Sequence, residues 1–83
     1  MKVELFTSGR CPACKQAQQR LNQVLDELAQ AGMPFQVQYR LVPKEIDRAV
    51  ELGVKALPAL AIDDRLVLTG LPDTATLHKL LKP

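Results

Sequence analysis

The chain is arranged about Cys11-Pro12-Ala13-Cys14, which holds its only two cysteines. Residues 2–7 (KVELFT) before it are a short apolar run rich in strand formers, and Ser8-Gly9 ends that run. A helical pattern starts near Cys11. Pro12 suits the first helical position, where its missing N–H would have had no partner anyway. Residues three apart on a helix have Cβ atoms roughly 5–6 Å apart, whereas a disulfide needs about 3.8 Å. The first turn closes that gap because its leading residue need not be helical. The pair can therefore open and close a small ring without unfolding its surroundings. That is the geometry of a redox switch.

A chain of 83 residues makes one small domain, residues 1–83, with a single core. Only Phe6, Phe35 and Tyr39 are aromatic, so that core is expected to be aliphatic. The formal net charge of +2 comes from scattered rather than blocked basic residues, which excludes the footprint of a nucleic-acid binder or a polybasic membrane signal. No apolar run approaches the length of a membrane span. The start, Met1-Lys2-Val3, reads straight into a strand and leaves no room for a signal peptide. A cytoplasmic protein is the expectation. In that compartment two such cysteines point to catalysis or metal binding rather than to a structural staple.

The first helix carries an inward stripe of Cys14, Ala17, Leu21, Val24, Leu25, Leu28 and Ala31, and Lys15, Gln16, Gln19, Gln23 and Glu27 form its solvated side. Gly32 and Pro34 stop it. Residues 35–42 read as a second strand. Pro43 fits the first turn of a short helix with Ile46, Ala49 and Val50 on its apolar face, ending at Gly53. Residues 58–62 and 65–69 are strand-like runs around Asp63-Asp64, which suits a tight hairpin. After Gly70-Leu71-Pro72, Asp73 or Thr74 caps a last helix with Leu77, Leu80 and Leu81 inward. The order is β-α-β-α-β-β-α. Its first unit has parallel strands with a right-handed crossover, and the aliphatic content is buried by helices on both faces of a four-stranded sheet.

With Cys11-Pro12-Ala13-Cys14 between strand and helix, Gly53-Val54-Lys55-Ala56-Leu57-Pro58 before the third strand, and a closing helix after Gly70, the chain resembles the thioredoxin-fold family, in particular its small members of glutaredoxin size. The resemblance spans essentially the whole chain and implies an α/β fold with a mixed sheet of order 2-1-3-4. It further implies that Pro58 is cis beside the cysteines and that the Leu57 backbone pairs with an extended substrate segment. Two positions depart from thioredoxins: Arg10 replaces the usual Trp, and Leu5 replaces the buried acid six residues before the first cysteine. Strand alternation puts the neighbouring Glu4 on the opposite face. Against glutaredoxins, Cys-Pro-Tyr-Cys, Thr-Val-Pro and a Gly-Gly turn correspond here to Cys-Pro-Ala-Cys, Ala-Leu-Pro and Thr69-Gly70.

The chemistry needs a thiolate. Cys11 sits at a helix N-terminus, where unpaired N–H groups and the macrodipole favour negative charge, and Arg10 and Lys15 add positive charge nearby. Cys11 is therefore the candidate nucleophile. Cys14, on the inward stripe, is the resolving thiol. Arg10, Pro12, Leu57 and Pro58 are the expected substrate contacts. The expected activity is thiol–disulfide exchange by a monomer, on protein or small-molecule disulfides, with an unidentified reductase or glutathione as reductant and no cofactor or metal. Two other readings use the same cysteines. A glutathione-dependent reductase would keep its activity after Cys14→Ser, and a zinc- or iron–sulfur-binding dimer would carry bound metal. His78 is expected on the solvated side of the last helix, and the three aromatic residues are expected to pack in the core or on the sheet.

Overall fold

Residues 3–6 are buried on both faces of the strand they form, β1 (Lys2–Thr7). A strand covered on two sides needs apolar side chains in both directions, and Val3, Leu5 and Phe6 supply them. The computed structural model describes residues 2–81. After β1 come α1 (Pro12–Gln30), β2 (Gln36–Leu41), α2 (Ile46–Leu52), β3 (Ala59–Ile62), β4 (Arg65–Thr69) and α3 (Thr74–Leu81). The four strands lie in the order β2-β1-β3-β4. β1 runs parallel to β2 and antiparallel to β3, and β4 closes an antiparallel hairpin. This is the element order and the mixed sheet that the sequence implied.

The two faces of β1 divide the core. Val3 and Leu5 pack with Leu21, Val24 and Leu28 of α1 and with Leu77 and Leu81 of α3. Phe6 turns the other way, to Ala49 of α2 and to Ala59 and Ala61 of β3. The helix α1 ends in a Schellman motif, with Met33 N–H donating to the Leu28 carbonyl at 2.8 Å and Gly32 N–H to that of Ala29 at 3.0 Å. Ala31, read as an inward residue, is instead the exposed C-cap, because the helix has already ended. The hairpin turn places both Asp63 and Asp64 at positive φ, 49° and 68°, which is the type I′ geometry that matches strand twist. Asp73 caps α3, its carboxylate accepting from Thr76 N–H at 2.7 Å.

Two further expectations change. Pro43 follows a cis bond within a turn rather than opening a helix, and α2 begins at Ile46. Of the three residues expected on that helix's apolar face only Ala49 is buried; Ile46 and Val50 are 48% and 69% exposed. A seven-residue helix against small alanines offers too little surface to cover them. Tyr39 takes the sheet position of its two expected places rather than the core. It lies on the edge strand β2, and its hydroxyl donates to Asn22 of α1.

Glu4 is the one charged residue among the described residues with no exposure. It stays charged because Arg48 Nη2 donates to its carboxylate at 2.8 Å and Arg40 Nε at 2.9 Å. The Arg48 hydrogen bond is the main cause of a pKa below the usual 4.5, outweighing the upward push of burial, with Arg40 adding to it. A carboxylate whose folded pKa is depressed stabilises fully above its unfolded value and loses that contribution as pH falls through the folded one. Glu4→Gln is expected to cost about 3 kcal/mol near neutral pH, the low end for a broken buried pair because both arginines keep solvent contact. It should also flatten the fall in stability below the normal carboxylate pKa, read by urea unfolding at a series of pH values. An unchanged acid limb would contradict this role.

Candidate dithiol site

The site begins where β1 stops. After Thr7 the chain turns through Ser8 and Gly9, and Cys11 takes up extended backbone angles (φ −112°, ψ 102°) as the N-cap of α1. Pro12 follows at the first helical position. Because Cys11 is not yet helical, its Cα lies 5.1 Å from that of Cys14, and the two sulfurs are bonded. Cys11 Sγ also accepts the Cys14 N–H at 3.1 Å. This is an N-cap with sulfur in place of the customary oxygen. One turn of helix thus supplies the covalent partner and a donor aimed at the outer sulfur.

The two cysteines differ sharply in burial. Cys14 is 2% exposed and continues the inward stripe through Ala17 and Leu21, whereas Cys11 is half-exposed between the exposed Arg10 and Pro12. A cavity of about 520 Å³ opens beside the pair, reaching Arg10, Lys15, Gln18 and, from the end of β2, Leu41. Leu41 had no signal in the sequence. The parallel register, Thr7 opposite Leu41, brings it there. Leu5 is buried among apolar neighbours beneath α1, and Glu4 points away toward α2. No carboxylate from β1 approaches Cys14.

Leu57 and Pro58 arrive by a different route. β3 pairs with β1 so that Ala59 faces Phe6, which sets the residues just before β3 beside the residues just after β1. The Leu57–Pro58 bond is cis, Pro58 is buried, and Gly70 N–H donates to the Pro58 carbonyl at 2.8 Å. Among the described residues, neither backbone group of Leu57 has a backbone partner. Leu57 lines a second, apolar cavity of about 370 Å³ with Val42 and Ile46. The expected site residues therefore fall into two neighbouring groups: Arg10, Pro12 and both cysteines around one cavity, Leu57 at the next. His78 is remote from both; it is half-buried, with Nε2 2.8 Å from Glu27 of α1.

Residues 1–82 match the family model described as a thioredoxin domain. The chain is 32% identical over 82 residues to a thioredoxin of Methanocaldococcus jannaschii, covering 99% of this chain and 93% of that one. It is 29% identical over 80 residues to a probable thioredoxin of Archaeoglobus fulgidus, covering 96% and 85%. Among solved structures it superposes on a protein disulfide oxidoreductase from Aeropyrum pernix with a TM-score of 0.82 at 23% identity, covering 96% of this chain but 35% of that chain. The oxidised mitochondrial thioredoxin 3 of Saccharomyces cerevisiae gives a TM-score of 0.75 at 24% identity, with 96% and 74% covered. The chain belongs to the thioredoxin family and carries the dithiol pair of a thiol–disulfide oxidoreductase.

The difference in burial has a direct readout. In reduced protein, limiting iodoacetamide is expected to label Cys11 first, with at least about tenfold selectivity over Cys14, because burial leaves the inner sulfur without access. Peptide mass mapping would measure this, and equal labelling would contradict it.

Proposed function

We propose that the chain, as one thioredoxin-like domain, reduces disulfides in the cytoplasm, with Cys11 as nucleophile and Cys14 as resolving thiol. The observation that carries this reading is the unequal pair itself, one sulfur reachable and capped by an N–H, the other covered and within bonding reach. The bonded state of the pair corresponds to the end of the cycle. In the reduced protein the first-turn N–H groups and the helix dipole stabilise a thiolate at Cys11. That thiolate attacks one sulfur of the substrate, the substrate S–S bond breaks, and the departing thiolate takes a proton from water. Cys14 then gives up its proton and attacks Cys11. The mixed disulfide breaks, and the second substrate thiol leaves.

Two electrons pass from the protein pair to the substrate, and an external dithiol or glutathione must return them. With Leu5 in place of an acid, Cys14 has no carboxylate on β1 to receive its proton. The leaving substrate sulfur and water are the acceptors in this scheme. Leu57, whose backbone groups have no backbone partner among the described residues, is the position at which the backbone of an extended substrate segment pairs. Pro12 and Arg10 line the cavity beside the reacting sulfurs, and Pro58 is the further substrate contact in this proposal.

Trapping tests the assignment. Cys14→Ser is expected to accumulate a mixed disulfide with a reducible protein such as insulin, visible on a non-reducing gel and joined through Cys11. Cys11→Ser is expected to lose disulfide reductase activity by at least about a thousandfold, the scale on which deletion of a covalent nucleophile acts. A trapped adduct at Cys14 in the Cys11→Ser protein, with activity retained, would reverse the roles.

A further inference from the structure

We infer that this pair acts preferentially on disulfides bearing a carboxylate close to the sulfurs, and that Arg10 and Lys15 receive that charge in the cavity beside Cys11. The inference rests on the dithiol reading above and names the substrate chemistry it serves. Three observations carry it.

The first is the charge pattern around the nucleophile. Residues 5–25 contain Arg10, Lys15 and Arg20 and no acidic residue. The second is what lines the cavity. Its volume of about 520 Å³ suits a residue or two on either side of a substrate sulfur, and its walls offer Arg10, Lys15, the polar Ser8 and Gln18 and the apolar Leu41, with no carboxylate among them. The third is that these two cations are free to act. Among the described residues neither forms an ion pair, whereas Lys2, Arg40 and Arg48 are each bound to carboxylates in the network around Glu4. Arg20, the other cation of the stretch, donates instead to the Pro72 carbonyl at 2.8 Å.

An arginine fork matches a carboxylate in two parallel hydrogen bonds, and a lysine adds an adjustable point charge. Because both side chains are exposed, their effect falls on the rate of encounter more than on the lifetime of a complex. The preference is therefore kinetic and weakens with salt. The reaction is the one already given. Reduced protein and one disulfide yield oxidised protein and two thiols, with protons exchanged through water.

The test is a single-turnover measurement on protein reduced beforehand, with the rate of protein thiol loss followed for three alkyl disulfides. These are dithiodipropionate (dianionic), the disulfide of mercaptoethanol (neutral) and cystamine (dicationic), each normalised to attack by free mercaptoethanol. A second set uses short peptide disulfides flanked by Asp, Ser or Lys. At low salt the anionic member of each set is expected to react about tenfold faster than the cationic one, with the ratio falling toward one at high salt. The double variant Arg10→Gln, Lys15→Gln is expected to reduce the ratio at least about threefold, and Arg10→Glu, Lys15→Glu to invert it. Taking the ratio removes any general change in the reactivity of Cys11, which would affect all three substrates alike.

A preference in the peptide set alone assigns the carboxylate to acidic protein segments, and a preference in both sets assigns it to any carboxylate near the sulfurs; either supports the inference. A brisk reaction with the neutral disulfide and a ratio near one would overturn it while leaving the dithiol reading intact. A neutral disulfide that reacts no faster than with free thiol would sink the dithiol reading itself.

Discussion

The structure depends on one constraint, that a helix must begin where a fully buried strand ends. β1 is covered on both faces, so its direction is fixed, and the turn at Ser8 and Gly9 delivers the chain to the edge of the core. Cys14 then falls on the inward stripe of α1, while Cys11, outside the helix proper, does not. One covalent bond thus joins a sulfur fixed in the core to a sulfur held only by a cap. The inner cysteine is a packing residue that also has chemistry. The outer one meets the solvent with an N–H already directed at it.

Charge is divided as unevenly as burial. On the α2 side, Glu4, Arg40, Arg48, Glu45 and Glu51 form a mutually satisfied network, tied through Lys2 and Arg48 to Asp64 at the hairpin tip. These groups position β1, α2 and the hairpin relative to one another, and they hold no charge in reserve. Around the cysteines the balance is reversed: the described residues that line the cavity include Arg10 and Lys15 and no acid. A single sheet separates a region where electrostatics is spent on structure from one where it remains available to a ligand.

Much of this was legible in the sequence, for reasons that differ by element. The inward stripe of α1, the two-residue hairpin and the caps at Gly32 and Asp73 are local signals, each set by a few neighbouring residues. The cysteine pair was legible because its spacing and its place before a helix jointly prescribe the geometry. What could not be read depends on partners distant in sequence. Glu4 was placed on the correct face by alternation, yet its two arginines come from β2 and α2, residues 40 and 48. Leu41 reaches the cavity only through strand register. Ile46 and Val50 carry a helical apolar pattern, but the pattern says nothing about how little surface the facing alanines present.

The chemistry of the pair requires an outer sulfur that ionises easily. The most direct test is the ultraviolet absorbance of the thiolate, titrated in reduced wild-type protein and in Cys11→Ser. A transition well below the roughly 8.5 of free cysteine is expected, present in the wild type and missing from the variant. A transition at or above that value, or one that persists when Cys11 is replaced, would contradict it.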